Sequence, residues 1–161
     1  MADRATASIV IGGPIPRSCI SGLIAAIELD GGRADWEGEA IDDAAVRNGE
    51  ILEAYACELP GGIFQDTESF CEQHGIAFVR GSGSCAGAFG PERAVFTGER
   101  PAAYFDLTES EEVVLTQSGL RALGSLEAVD SWFASAEFTP PPVTIVESDA
   151  AALLTCELCH G

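Results

Sequence analysis

The sequence contains no lysine, so every side chain with a fixed positive charge is one of eight arginines. Without lysine there is no Schiff-base nucleophile, no phosphate-binding lysine of the Walker type and no serine–lysine catalytic pair. Against the arginines stand 26 acidic residues, which give a formal net charge of −18. Nucleic-acid backbones and anionic membranes attract clustered cations. We therefore expect neither direct nucleic-acid binding nor a membrane partner.

The sequence also lacks a long apolar run, and none approaches the roughly 20 residues that a membrane helix needs. Residues 1–13 contain one arginine and a short apolar stretch, Ala7 to Ile11, which is too short for the apolar core of a secretion signal. We therefore expect a cytoplasmic protein whose six cysteines are reduced thiols. The 47% of apolar residues can supply a real core.

The hydrophobic patterns predict a single α+β domain over residues 1–150, followed by a C-terminal tail over 151–161. Helices are expected from the N-cap Ser18 to Gly31, from the N-cap Asp66 to His74, and from Leu126 after the cap Ser125, with a helical turn at 118–123. Strands are expected at 8–11, 35–41, 51–59, 76–80, 93–97, 103–107, 113–116 and 143–146. Successive strands without intervening helices predict a mixed or mainly antiparallel sheet, with about three helices on one face. The strand at 51–59 is expected to be central.

The acidic residues are concentrated in two blocks. Residues 35–72 hold eleven acids and one arginine, and residues 101–161 hold ten acids and one arginine. A surface rich in carboxylates can serve solubility alone. Alternatively, it can be a negative surface that matches the positive surface of a partner protein.

In charge and size the chain resembles the DNA-mimicking inhibitors that mobile elements direct at restriction or CRISPR complexes. This resemblance implies a non-catalytic protein that occupies the basic cleft of a nuclease or of another DNA-binding complex. The candidate contact residues are acids from the two blocks: Asp35, Glu37, Glu39, Asp42, Asp43, Glu109, Glu111 and Glu112. No cofactor is expected for such a function.

A second resemblance covers about an eighth of the chain. The stretches 62–64, 68–71 and 74–80 are similar to small uncharacterised bacterial proteins, some of them carried on plasmids. In physical terms the shared pattern is a helix, a closing glycine and a strand, which is a packing pattern. It implies no activity.

Two alternatives concern cysteine chemistry. Cys156, Cys159 and His160 form a C-x-x-C-H pattern that offers two thiolates and an imidazole to a zinc ion. Cys85 lies in a G-x-C-x-G context and is a candidate nucleophile, with His74 or His160 as its base. The sequence thus leaves open an acidic interaction protein, a zinc or thiol protein, and a cysteine–histidine hydrolase.

Overall fold

The computed structural model describes residues 3–147. Its strands are β1 (Arg4–Gly12), β2 (Pro14–Pro16), β3 (Leu52–Pro60), β4 (Ala77–Ser82), β5 (Glu92–Phe96), β6 (Ala103–Asp106) and β7 (Thr144–Val146). Five of them form one antiparallel sheet in the order β3-β1-β4-β5-β6. The short strands β2 and β7 pair in parallel as a separate ribbon.

The helices of the described region are α1 (Ile20–Leu29), α2 (Gln65–His74), α3 (Gln117–Leu123) and α4 (Leu126–Ala136). The expected α+β class and the mainly antiparallel sheet are confirmed, with four α-helices instead of about three. Within residues 3–147, no helix has the length and apolar character needed to cross a membrane.

The main core lies between the sheet and the pair α1–α2. Alternate residues of β1 are buried, including Ile9 and Ile11, because successive side chains of a strand point to opposite faces. They meet the apolar stripe of α1, where Leu23 and Ile27 are fully buried and the i, i+3, i+4, i+7 spacing predicted in the sequence is confirmed. Phe78 of β4 completes this layer. We call this side the inner face of the sheet, and the opposite side the outer face.

α4 lies on the outer face, so the expectation that the helices share one face is corrected. Its Trp132 contacts Phe105 of β6 with ring centroids 5.1 Å apart, beside the buried Val95. Along their strands, Val95 and Phe105 alternate with residues that point to the inner face. Their own side chains therefore point to the outer face. Ser125 caps α4 as predicted, but Leu126 is 79% exposed and does not join the apolar face.

Two strand predictions are wrong. β3 is the edge strand of the five-stranded sheet and not a central one, and its Tyr55 and Cys57, which looked like core residues in the sequence, lie on its less buried face. Residues 35–41 form a turn and no strand: the amide of Gly38 donates to the carbonyl of Asp35, and the amide of Ala34 donates to that of Glu39. At 113–116, only Val113 forms a bridge, to Leu107.

The starts of α1 and α2 also differ from expectation. Ser18 lies inside a 3-10 turn, and α1 begins at Ile20. α2 begins at Gln65, so Asp66 is not its N-cap. Instead, the carboxylate of Asp30, at the end of α1, accepts hydrogen bonds from the amides of Asp66 and Thr67 at 3.1 and 2.8 Å. An anion from one helix therefore stabilises the positive end of the next.

The largest fully buried side chain of the described region is a cation, Arg80 of β4. Its Nε donates to Glu68 at 2.8 Å, its Nη2 to Glu92 at 2.9 Å and its Nη1 to the hydroxyl of Ser82 at 3.1 Å. Glu68 also accepts a hydrogen bond from the amide of Phe64, which closes the first turn of α2. The pairing of Arg80 joins α2, β4 and β5 through directed bonds inside an apolar core.

Removing one partner of this cluster leaves a buried charge uncompensated. We predict that Arg80→Met lowers the free energy of unfolding by about 3–5 kcal/mol, measured by urea denaturation. The double variant Arg80→Met/Glu68→Leu is expected to recover part of the loss. The exposed Arg121→Met is the control and should change stability by less than about 0.5 kcal/mol. Equal losses in the two arginine variants would contradict the structural role of Arg80.

Burial raises the pKa of Glu68 above its ordinary value of 4.5, although Arg80 opposes the shift. A carboxyl group with a higher pKa in the folded protein binds more protons when folded, so its contribution to stability grows as the pH falls toward 4.5. We predict that wild type gains unfolding free energy relative to Glu68→Gln between pH 7 and pH 5. The exposed Glu127→Gln is the matched control. A difference that stays constant or reverses with pH refutes the prediction.

Candidate interaction site

A trough of about 330 Å³ lies on the outer face, beside the area that α4 covers. Its floor is formed by outward-facing residues of three neighbouring strands. These residues are Thr6, Ser8 and Val10 of β1, Val79 and Gly81 of β4, and Arg93 of β5. The floor is thus a mixture of small, apolar and hydroxyl-bearing groups with one guanidinium, that of Arg93, and it is open to solvent.

One wall of the trough is aromatic. Trp36 is 46% exposed and packs on Tyr55 of β3, with ring centroids 5.0 Å apart and planes at 59°. The hydroxyl of Tyr55 donates to the carboxylate of Glu53 at 3.2 Å. Partial burial, and then the charges of Glu53 and Asp35, raise the pKa of Tyr55, so it remains a neutral donor at physiological pH. The wall therefore offers an aromatic surface beside carboxylates.

The other wall is acidic. Glu109 and Glu111 line the trough from the turn that follows β6. Thr108 orders this turn: its amide donates to the carbonyl of Glu112 at 2.8 Å, and its hydroxyl accepts from the amides of Ser110 and Glu112. Glu111 has a φ of +64°, a conformation that few residues other than glycine adopt. The backbone of this wall is consequently held in place, while its carboxylates are exposed.

Arg93 is the only cation among the described residues that line the trough. Its Nη1 donates at 3.1 Å to the carbonyl of Ala136, the last residue of α4. A cation at the C-terminus of a helix is stabilised by the helix dipole. Arg93 therefore connects the floor of the trough to the helix that covers the rest of the outer face.

All eight acids predicted as contact residues are exposed. Three of them, Asp35, Glu37 and Glu39, belong to the turn that carries Trp36, and Glu109 and Glu111 belong to the opposite wall. The trough thus brings Trp36 of the first block together with two acids of the second block, whereas Asp35, Glu37 and Glu39 neighbour Trp36 in sequence but do not line it. Asp42 and Asp43 do not line it, because the neighbouring Ile41 and Val46 pack into the main core. Glu112 lies in the acidic turn, outside the lining.

Of the residues in the two cysteine alternatives, the structure describes only Cys85 and His74. Cys156, Cys159 and His160 lie outside the described residues, so their zinc site stays a prediction. Among residues 3–147, no group of three or more His, Cys, Asp or Glu side chains can hold a metal ion. Cys85 and His74 lie beyond opposite ends of β4, a strand of about 20 Å, so the structure does not bring them together. His74 Nδ1 instead lies 3.7 Å from Sγ of Cys19.

Two features of the folded chain were not anticipated from the sequence, namely the Trp36–Tyr55 wall on the outer face and the Cys19–His74 contact on the inner-face side. Both depend on which elements become neighbours. Tyr55 meets Trp36 because Arg33 forms a bridge to β3, with its amide donating to the Tyr55 carbonyl at 2.8 Å. The only sequence indication was the placement of a tryptophan among acids at 35–39.

No family model matches the chain, and searches of curated proteins and of solved structures found no match either.

The exposure of Trp36 predicts that it contributes little to folding. We expect Trp36→Ala to lower the free energy of unfolding by about 1 kcal/mol, the typical contribution of an aromatic pair. Trp132→Ala should cost about 3 kcal/mol, because it leaves a gap between α4 and the sheet. Urea denaturation followed by circular dichroism measures both. Similar losses in the two variants would show that the wall is a structural element of the fold.

Proposed function

We propose that this protein is a non-catalytic acidic interaction protein whose outer-face trough binds a basic surface of another protein. In its most concrete form, the partner is a host nuclease or another DNA-binding complex, such as a restriction or CRISPR complex, whose basic cleft the protein occupies as a mimic of nucleic acid. The proposal requires no cofactor. One observation carries it: the half-exposed Trp36, from the first acidic block, and the carboxylates of Glu109 and Glu111, from the second, line the same trough.

The chemistry of the walls supports a cationic ligand group. An exposed tryptophan attracts the guanidinium of arginine or the ammonium of lysine through its ring face. The carboxylates of Glu109 and Glu111 in the trough add charge complementarity, which mainly increases specificity and the rate of association. The small and apolar residues of the floor leave room for the stem of a long basic side chain, and the one cation among the described floor residues, Arg93, is already bonded to the carbonyl of Ala136.

The bond network of the acidic turn supports the same proposal. A binding surface loses less entropy when its backbone is already ordered before the partner arrives. Thr108 provides this order through three hydrogen bonds within its own turn. Solubility alone would require no ordered turn and no aromatic side chain between the acids.

We predict that Glu109→Gln/Glu111→Gln weakens binding to a basic DNA-binding partner at least tenfold, since each exposed charge pair contributes about 0.2–1 kcal/mol and coupled pairs contribute more. Asp42→Asn/Asp43→Asn is the matched control, because it removes the same charge away from the trough. Partners are captured from source-cell lysate at low salt and identified, and the affinity is then measured by titration with purified nuclease. Duplex DNA is expected to compete, and binding to weaken as salt screens the charges.

Equal weakening by the two double variants would mean that overall charge, and not the trough, governs association. Binding whose affinity is unchanged by added salt and by competing duplex DNA would contradict nucleic-acid mimicry. Undetectable binding to every captured or purified basic DNA-binding protein at low salt would refute the proposed function as a whole.

A further inference from the structure

A thiol and an imidazole meet on the inner-face side of the molecule, where the start of α1 lies beside the end of α2. Sγ of Cys19 and Nδ1 of His74 are 3.7 Å apart, within hydrogen-bonding reach for sulfur. Cys19 directly precedes α1, and His74 is the last residue of α2. The two residues are 55 positions apart in sequence, so the tertiary fold creates this pair.

Several contacts hold His74 in place while leaving the pair accessible. Its ring packs on Phe70, one turn earlier in α2, with centroids 4.3 Å apart. Phe70 in turn fills the space above Gly22 of α1, where an added Cβ would lie only 2.7 Å from the ring. Cys19 is half-buried against the core, and His74 is exposed. A small reagent can therefore reach a thiol whose neighbouring base is already oriented.

We propose that Cys19, with His74 as its base, is a site of thiol–disulfide exchange that accepts a low-molecular-weight disulfide. Nδ1 of His74 takes the thiol proton, and the thiolate attacks one sulfur of the disulfide. A new bond joins Cys19 to that sulfur while the original S–S bond breaks. The second sulfur leaves as a thiolate and receives the proton from the imidazolium. Cys19 is oxidised to a mixed disulfide, and the departing thiol is the reduced product.

Two of the other described cysteines, Cys57 and Cys71, supply the contrast. Cys57 of β3 is more exposed than Cys19, but no imidazole of the described residues lies within hydrogen-bonding distance of it. Cys71 is completely buried, and burial raises its pKa, so it stays protonated and inaccessible. If exposure alone governed reactivity, Cys57 would react first. If the base governs it, Cys19 reacts first.

The experiment uses the full-length reduced protein with an excess of oxidised glutathione, and follows each cysteine over time by peptide mapping with mass spectrometry. We expect Cys19 to be modified before Cys57. His74→Gln should slow Cys19 by about a hundredfold, the lower end of what a positioned base contributes, and leave Cys57 unchanged. His160→Gln is the matched control, because it removes the only other imidazole of the chain.

The inference is overturned if Cys57 reacts first, if His74→Gln leaves the rate at Cys19 unchanged, or if His160→Gln slows it equally. Modification of Cys71 reports any opening of the fold in a variant. As a second variant, Cys19→Ser keeps His74 and must abolish the fast reaction; a fast reaction that survives it contradicts the assignment. This test is independent of the outer-face trough, so its result and that of the partner-binding test are separable.

Discussion

The buried guanidinium of Arg80 is the constraint on which the rest of the structure depends. A cation in an apolar core is tolerated only when its donors are matched, and here two carboxylates and a hydroxyl accept from it. The match requires α2, β4 and β5 to meet in one register, since Glu68, Arg80 and Glu92 come from three different elements. Apolar packing alone would tolerate small slips between these elements. The ion cluster does not tolerate such slips, and it thereby fixes the positions of the outer-face side chains of β4 and β5.

Much of the fold was predictable because it is local. The stripe of α1, the cap of α4 and the consecutive strands β4 to β6 follow from patterns that span a few residues. The errors arise where distant segments decide. The position of β3 at the edge depends on sheet order, and the start of α2 depends on Asp30, 36 positions before Asp66. Residues 35–41, predicted as a strand around Trp36, are instead closed into a turn by backbone hydrogen bonds.

In the candidate site, too, local features were predictable from the sequence, and contacts between distant segments were not. That the acids would be exposed was predictable from their charge alone. That Glu109 and Glu111 line one trough together with Trp36, while Asp42 and Asp43 do not, was not predictable, because it depends on the strand order that brings the two turns to the same sheet face. The cysteine patterns in sequence pointed to Cys85, whereas the fold puts His74 beside Cys19. Motifs of contiguous residues carry no information about such pairs.

The placement of Trp36 and Trp132 has an optical consequence. These are the only two tryptophans of the chain. On the outer face, Trp36 borders the trough, whereas Trp132 belongs to α4 and packs between that helix and the sheet. Indole emission depends on local polarity, so a half-exposed ring and one packed against Phe105 and Phe133 report on different environments. One intrinsic fluorophore thus reports on occupancy of the trough, and the other reports on the docking of α4 against the sheet.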